Sequence, residues 1–160
     1  MRLGGPPAPA GKWAFHRGIN VNGPPVAIDG NRWEGDDARN FRCQDHPLNC
    51  PHVTLRPPTD GARARMIHTF RWNSRPKLTL TDVPPGTYAV YLYIWEDNNP
   101  ETFTLLLNGQ VVARNRCSGV TGEWHRLGPW IVTATEGKLE LTGYGGAINL
   151  SGVEIWRKRP

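Results

Sequence analysis

The sequence predicts an all-β protein, an antiparallel β-sandwich with a jelly-roll arrangement. Three observations point there. Short apolar stretches alternate with polar residues at a period of two. Turn signals separate them, with 18 Gly and 15 Pro among the 160 residues. No stretch carries a helical pattern beyond a turn or two. A chain of this length makes one domain able to bury a sizeable core.

Trp13–Asn20 reads as the first strand and Val26–Asp29 as the next, with Asp29-Gly30-Asn31 as a turn. From Trp33 to Pro58 the chain is polar, punctuated by proline and irregular. A connection that long inside a compact domain is usually functional or pinned. Arg65–Trp72 is expected as a strand, and Lys77–Thr81 alternates Leu78 and Leu80 against Lys77, Thr79 and Thr81. Val83-Pro84-Pro85-Gly86 turns the chain into a long strand that ends at Trp95. Phe103, Leu105 and Leu107 mark another, and Asn108-Gly109 is a strong hairpin signal leading to Val111-Val112. Trp124–Thr133 is strand-like but broken at Gly128-Pro129. Lys138–Thr142 follows the Glu136-Gly137 turn, Gly143–Gly146 is a glycine-rich bend, and Ile148–Trp156 closes the domain. The sum is about nine or ten strands.

The stretch from Tyr88 to Leu107 says most about function. Tyr88, Val90, Leu92 and Ile94 alternate with Ala89, Tyr91, Tyr93 and Trp95, so both faces of this strand are apolar. A half-exposed strand would show polar residues on one face. Here the second face carries aromatics and runs into Glu96-Asp97-Asn98-Asn99. Flat rings cover the apolar C–H faces of a pyranose, and carboxylates and amides bond its hydroxyls. The same pattern also fits a doubly buried strand followed by a polar turn.

The totals exclude less than they allow. The net charge of +5 permits an acidic partner, but the basic residues are scattered and Arg157, Lys158 and Arg159 read as a solvated tail. No nucleic-acid-binding signature appears, so nucleic acid is an unlikely partner. Cys43 and Cys50 lie seven apart in FRCQDHPLNCPH, which favours a local disulfide and an oxidising compartment. A metal cluster of Cys43, His46, Cys50 and His52 fits no common zinc spacing, and free thiols remain the plain alternative. No stretch approaches the ~20 apolar residues of a membrane-spanning helix, and no signal peptide is present. Residues 1–11 read as a flexible Gly/Pro/Ala linker and 12–158 as the domain, a module of a longer protein.

GINVNGPPVAIDGNRWEGD, TLTDVPPGTYAVYLYIWEDNNPETFTLLLNGQVV, LGPWIVTATEGKLELT and GGAINLSGVEIWR together resemble a malectin-like domain, related to the galactose-binding-like sandwiches. The resemblance runs over about Trp13–Arg157. The family commonly has Gly-Gly where Asn22-Gly23 stands here. The resemblance implies sugar binding without catalysis, through aromatic and acidic residues on loops at one end of the sandwich. It places Trp72, Trp95, Glu96, Asp97, Asn98, Asn149, Asp29, Trp33 and Glu34 at the matching positions. Members often have Tyr or Phe where Trp72 and Trp95 stand, a change that keeps planar recognition.

The expected site is therefore Trp95 and Trp72 as ring platforms, with Glu96, Asp97, Asn98, Asn149, Trp33 and Glu34 around them. Glu96 is either a ligand contact or a strut for its loop, and Asp97 could instead cap its own turn. Trp124, Trp130 and Trp156 read as core, and His68 as a half-buried histidine. Glu34, Glu96, Asp97 and His68 could supply the carboxylates and a further titratable group of a glycosidase, but no catalytic motif demands it. A protein-interaction sandwich is the other alternative, marked by a wider apolar patch. No cofactor is implied; a structural calcium ion is left open, without a nominated ligand set. The expected partners are an oligo- or polysaccharide and other domains of a parent protein, in an extracellular or periplasmic setting.

Overall fold

The computed structural model describes residues 8–160 and is an antiparallel β-sandwich. The strands are β1 (Trp13–Asn20), β2 (Val26–Ile28), β3 (Asn31–Trp33), β4 (Phe41–Cys43), β5 (His46–Asn49), β6 (Thr69–Asn73), β7 (Lys77–Leu80), β8 (Gly86–Trp95), β9 (Thr102–Leu107), β10 (Gln110–Cys117), β11 (Trp124–Ala134), β12 (Leu139–Tyr144) and β13 (Ile148–Lys158), with one helix, α1 (Gly61–His68). One sheet runs β11-β8-β13-β6-β5, with β1 also paired to β13; the other runs β10-β9-β12-β7-β4. Strand β13 pairs with β8 along one edge and is long enough to take two partners along the other. Ile148–Leu150 pairs with β6, and Gly152–Lys158 pairs with β1. From β7 onward the chain crosses repeatedly between the sheets, as in a jelly roll. The linker expected over 1–11 falls mostly on residues 1–7, which lie outside the described residues.

Local chemistry explains the turns that the sequence marked. Asp29-Gly30 and Asn108-Gly109 both take positive φ at both positions (52° and 77°, 48° and 79°), the geometry of a tight two-residue hairpin. They join β2 to β3 and β9 to β10. Strand β11 does break where expected, with a register shift between Leu127 and Trp130 around Gly128-Pro129.

Two apolar clusters occupy the two faces of the larger sheet. Tyr88, Val90, Leu92 and Ile94 of β8 point between the sheets and pack with Phe103, Leu105, Leu141, Leu150 and Ile155. On the outer face, Tyr93 and Trp95 meet Trp33, Leu55, Met66, Ile67 and Phe70. Helix α1, the β2–β3 hairpin and the loop through Leu55 form that cover. Trp33 lies against bare backbone, since a Cβ on Gly18 would stand 2.3 Å from its ring and one on Gly152 2.8 Å. The apolar second face of β8 is thus a second core. The tyrosine next along is handled differently: Arg126 lies 3.5 Å over the Tyr91 ring and forks onto Glu154 at 2.7 and 3.2 Å.

Three expectations change here. Arg65–Trp72 is not one strand: Arg65–His68 ends α1, and β6 begins at Thr69. The helix is capped by Asp60, whose carboxylate accepts from the Arg63 backbone at 3.0 Å. The irregular segment also holds short strands β4 and β5. The Cys43–Cys50 disulfide does not form; all three cysteines are free. Cys43 sits on β4 in the core between the sheets, whereas Cys50 packs at the outer cluster. Burial pushes the Cys43 thiol up to about 12, and its Sγ lies 3.4 Å from Asp45 Oδ2.

Candidate functional site

On the outer face of the larger sheet, β6 and β13 place Trp72 beside Asn149, and β5 places His46 on the other side of Trp72. The His46 and Trp72 rings are 4.9 Å apart, and Trp72 is 37% exposed. Trp72 rides on a firmly held strand. Arg71 forks onto Asp36 at 3.2 and 2.7 Å and donates to the Asp45 carbonyl at 2.9 Å. Asn73 donates to Asp45 Oδ1 at 3.1 Å, and the Lys77 amide to Oδ2 at 3.0 Å. Both chain neighbours of the ring are therefore fixed.

The turn after β8 closes the other side of a cleft of about 290 Å³ lined by Leu48, Trp72, Glu96, Asp97, Asn98, Glu101, Ala147 and Asn149. Asn149 is 9% exposed and donates through Nδ2 to Asp97 Oδ1 at 2.8 Å. Glu96 is almost wholly buried and serves as a strut. Its Oε1 accepts from the Asn98 amide at 3.0 Å and its Oε2 from Ser118 Oγ at 2.6 Å. Ser118 Oγ in turn accepts from the Glu101 amide at 2.8 Å. Burial raises the Glu96 pKa against the pull of these hydrogen bonds. Both carboxylate oxygens are engaged as acceptors, an arrangement that supports a loop rather than proton transfer to a substrate.

Of the eight residues expected at the site, Trp72, Glu96, Asp97, Asn98 and Asn149 line this cleft. The other three lie elsewhere. Trp95 is 1% exposed, with its ring edge-on to Phe70 (5.3 Å) and His68 (5.5 Å), so it is a core residue and not a platform. Trp33 is 2% exposed, edge-on to Tyr93 at 5.8 Å. Glu34 forks onto Arg17 at 2.7 and 3.0 Å, and Asp29 pairs with Arg63. Trp33, Glu34 and Asp29 thus anchor the β2–β3 hairpin over the sheet. The carboxylate and histidine set Glu34, Glu96, Asp97 and His68 is not gathered in one cavity, and His68 bonds the Val53 carbonyl at 2.8 Å.

Sequence reasoning missed Leu48, Glu101 and Ala147. Glu101 was within reach, since it closes the same turn as Glu96–Asn98. Leu48 carried no signal, because β5 is a fully exposed edge strand containing Pro47. Among the described residues no cluster of His, Cys, Asp and Glu is arranged to hold a metal ion. Among the described residues no helix is long and apolar enough to cross a membrane.

No family model and no curated protein matches the chain by sequence. Solved structures do share its fold. A β-glucuronidase from Bacteroides uniformis superposes with a TM-score of 0.72 at 16% identity, covering 90% of this chain and 18% of the enzyme. The ANX1 ectodomain from Arabidopsis thaliana gives 0.72 at 14% identity, over 92% of this chain and 49% of that one. The chain therefore spans under a fifth of the enzyme and about half of the ectodomain. At these identities the likeness establishes the shared sandwich.

Proposed function

We propose that this domain is a non-catalytic carbohydrate-binding module whose site is the Trp72 cleft. One observation carries the reading: an exposed, rigidly mounted Trp72, with Asn149 beside it, shares a small cleft with Asp97, Asn98 and Glu101. Trp72 stacks on the apolar face of a sugar ring, while Asp97, Asn98 and Asn149 bond its hydroxyls. Glu96 holds the turn that presents them. At about 290 Å³ the cleft is at the small end of ligand pockets, which suits a chain end or a short segment over a long groove. A single stacked ring contributes about 0.5–1.5 kcal/mol beyond area burial, so a monosaccharide should bind at about millimolar to micromolar Kd.

The resemblance to malectin-like domains supports the same reading, as does the shared fold with part of a β-glucuronidase and part of an ectodomain. On this reading the domain works outside the cell or in the periplasm, beside other domains of a parent protein. Glycan-array binding by the native domain and by Asn149→Ala tests it. The reading expects a restricted set of glycans, weakened by the substitution. A folded native domain that binds no glycan overturns it.

A further inference from the structure

The cleft's charge and hydrogen-bond polarity say more than that it takes a sugar. Glu96, Asp97 and Glu101 line it, and none of its lining residues is Lys, Arg or His. Among the described residues no ion pair reaches Asp97 or Glu101. Asp97 uses Oδ1 to accept from Asn149, leaving Oδ2 without a hydrogen-bond partner among those residues.

The Asn149 amide adds an independent sign. The side chain is over nine-tenths buried, and its Nδ2 is committed to the Asp97 carboxylate, an acceptor-only group. That bond fixes the amide's orientation, so Oδ1 is left as an acceptor with no partner among the described residues. An acceptor that opens into a ligand-sized cleft and has no protein partner is placed to take a donor from the ligand. Asp97 Oδ2, the Glu101 carboxylate and Asn149 Oδ1 are all acceptors; Trp72 Nε1 and Asn98 Nδ2 are the side-chain donors set against them.

We propose that the cleft selects a sugar carrying a free, protonated amine, a hexosamine unit as in a deacetylated amino-polysaccharide. The ammonium donates to Asp97, Glu101 and Asn149 Oδ1 while the ring stacks on Trp72. Such charge-assisted bonds are roughly twice as strong as neutral ones. This inference rests on the cleft being a sugar site. It runs opposite to the acidic partner that the net charge permits. The chain carries +5 overall, which repels a cation at long range, so a preference for an amine has to come from the cleft itself.

The test is calorimetric titration of the native domain with the methyl glycosides of glucosamine, galactosamine and mannosamine. Each is matched with its N-acetyl form and its 2-hydroxyl parent, and β-1,4-linked glucosamine oligomers are added. The expected result is that an amine form binds about tenfold more tightly than its acetylated and hydroxyl partners. That preference should collapse in Asp97→Asn with Glu101→Gln, substitutions that keep shape and the Asn149 contact; a thermal melt checks that the variant is folded. Equal or tighter binding of the neutral partners overturns the proposal while leaving the carbohydrate site standing. A preference that survives the double variant overturns it as well. Lysine amide is included as a second amine. Binding as tight as that of the best amino sugar would assign the cleft to a protein cation and overturn the sugar class. If no sugar in the series binds, this inference fails, and the glycan array decides separately whether the site takes sugars at all.

Discussion

Two tryptophans at the ends of adjacent sequence motifs have opposite fates, and burial decides which is which. Trp95 lies at 1% exposure in a contact ring with Phe70 and His68, whereas Trp72 stands 37% exposed at the cleft. Trp95→Ala should cost about 3–5 kcal/mol in urea denaturation, the usual result of emptying a large core site. Trp72→Ala should cost about 1 kcal/mol or less and abolish glycan binding. Sequence alone could not rank the two. Both follow strand residues and precede polar turns, and exposure depends on what packs above them. The cover over Trp95 comes from α1 and the loop through Leu55, segments distant in sequence. The thiols also divide by environment. Cys117 is exposed and Cys50 half-buried, while burial pushes Cys43 up to about 12. Alkylation at mildly alkaline pH, followed by mass spectrometry, should label Cys117 first and Cys43 only on unfolding. A mass two hydrogens short of the fully reduced chain would show a disulfide instead.

At the scale of elements, strand β8 carries most of the explanation. Its two apolar faces were legible in the sequence, and they do pack into two separate clusters. What covers the second face was not legible, because α1 hides its own signal. Its buried positions Arg63, Met66 and Ile67 follow helical spacing, but the first of them is an arginine, so no apolar periodicity shows. Arg63 is tolerated there because Asp60 Oδ1 accepts from its guanidinium at 2.7 Å and Asp29 pairs with it as well. Asp60 serves twice, as cap and as counter-ion. Asp60→Ala should therefore lower stability by about 1–2 kcal/mol, and Asp60→Asn by less, since it keeps the cap and loses only the charge. Equal losses in the two variants would show that the cap contributes nothing. The hairpins at Asp29-Gly30 and Asn108-Gly109 were readable because positive φ at both turn positions restricts the residues that fit. Strands β4 and β5 were not, being three and four residues long within a polar stretch.

For the whole molecule, acid should destabilise the fold in two stages. Burial, then Arg157 and Arg17, hold the His16 pKa below its ordinary 6.5, so the stability of its neutral form is lost as pH falls below 6.5. Burial raises Asp36 and Asp60, but Arg71 outweighs it at the first and the Arg63 amide and guanidinium at the second. Both end below the ordinary 3.8, and their contribution disappears as pH falls below that value. Glu96 acts with the opposite sign, since its raised pKa relieves a burial penalty as pH falls toward 4.5. The urea midpoint should therefore decline below about pH 6.5, flatten, and fall steeply below about pH 4. A midpoint that rises on acidification would contradict this balance.

The two-sheet architecture, the turns and five of the eight expected cleft residues could be read from local pattern and resemblance. The outer cover, which moves Trp95 and Trp33 from site to core, arises from long-range packing that no local pattern encodes. The central claim is that Trp72, and not Trp95, is the sugar platform. The measurement that tests it most directly is titration of an array-selected glycan into the native domain, Trp72→Ala and Trp95→Phe, with a urea midpoint for each. The account predicts that Trp72→Ala loses at least about tenfold in affinity with a stability loss of about 1 kcal/mol or less, while Trp95→Phe binds as the native domain does and unfolds earlier. Native affinity in a folded Trp72→Ala domain would contradict it.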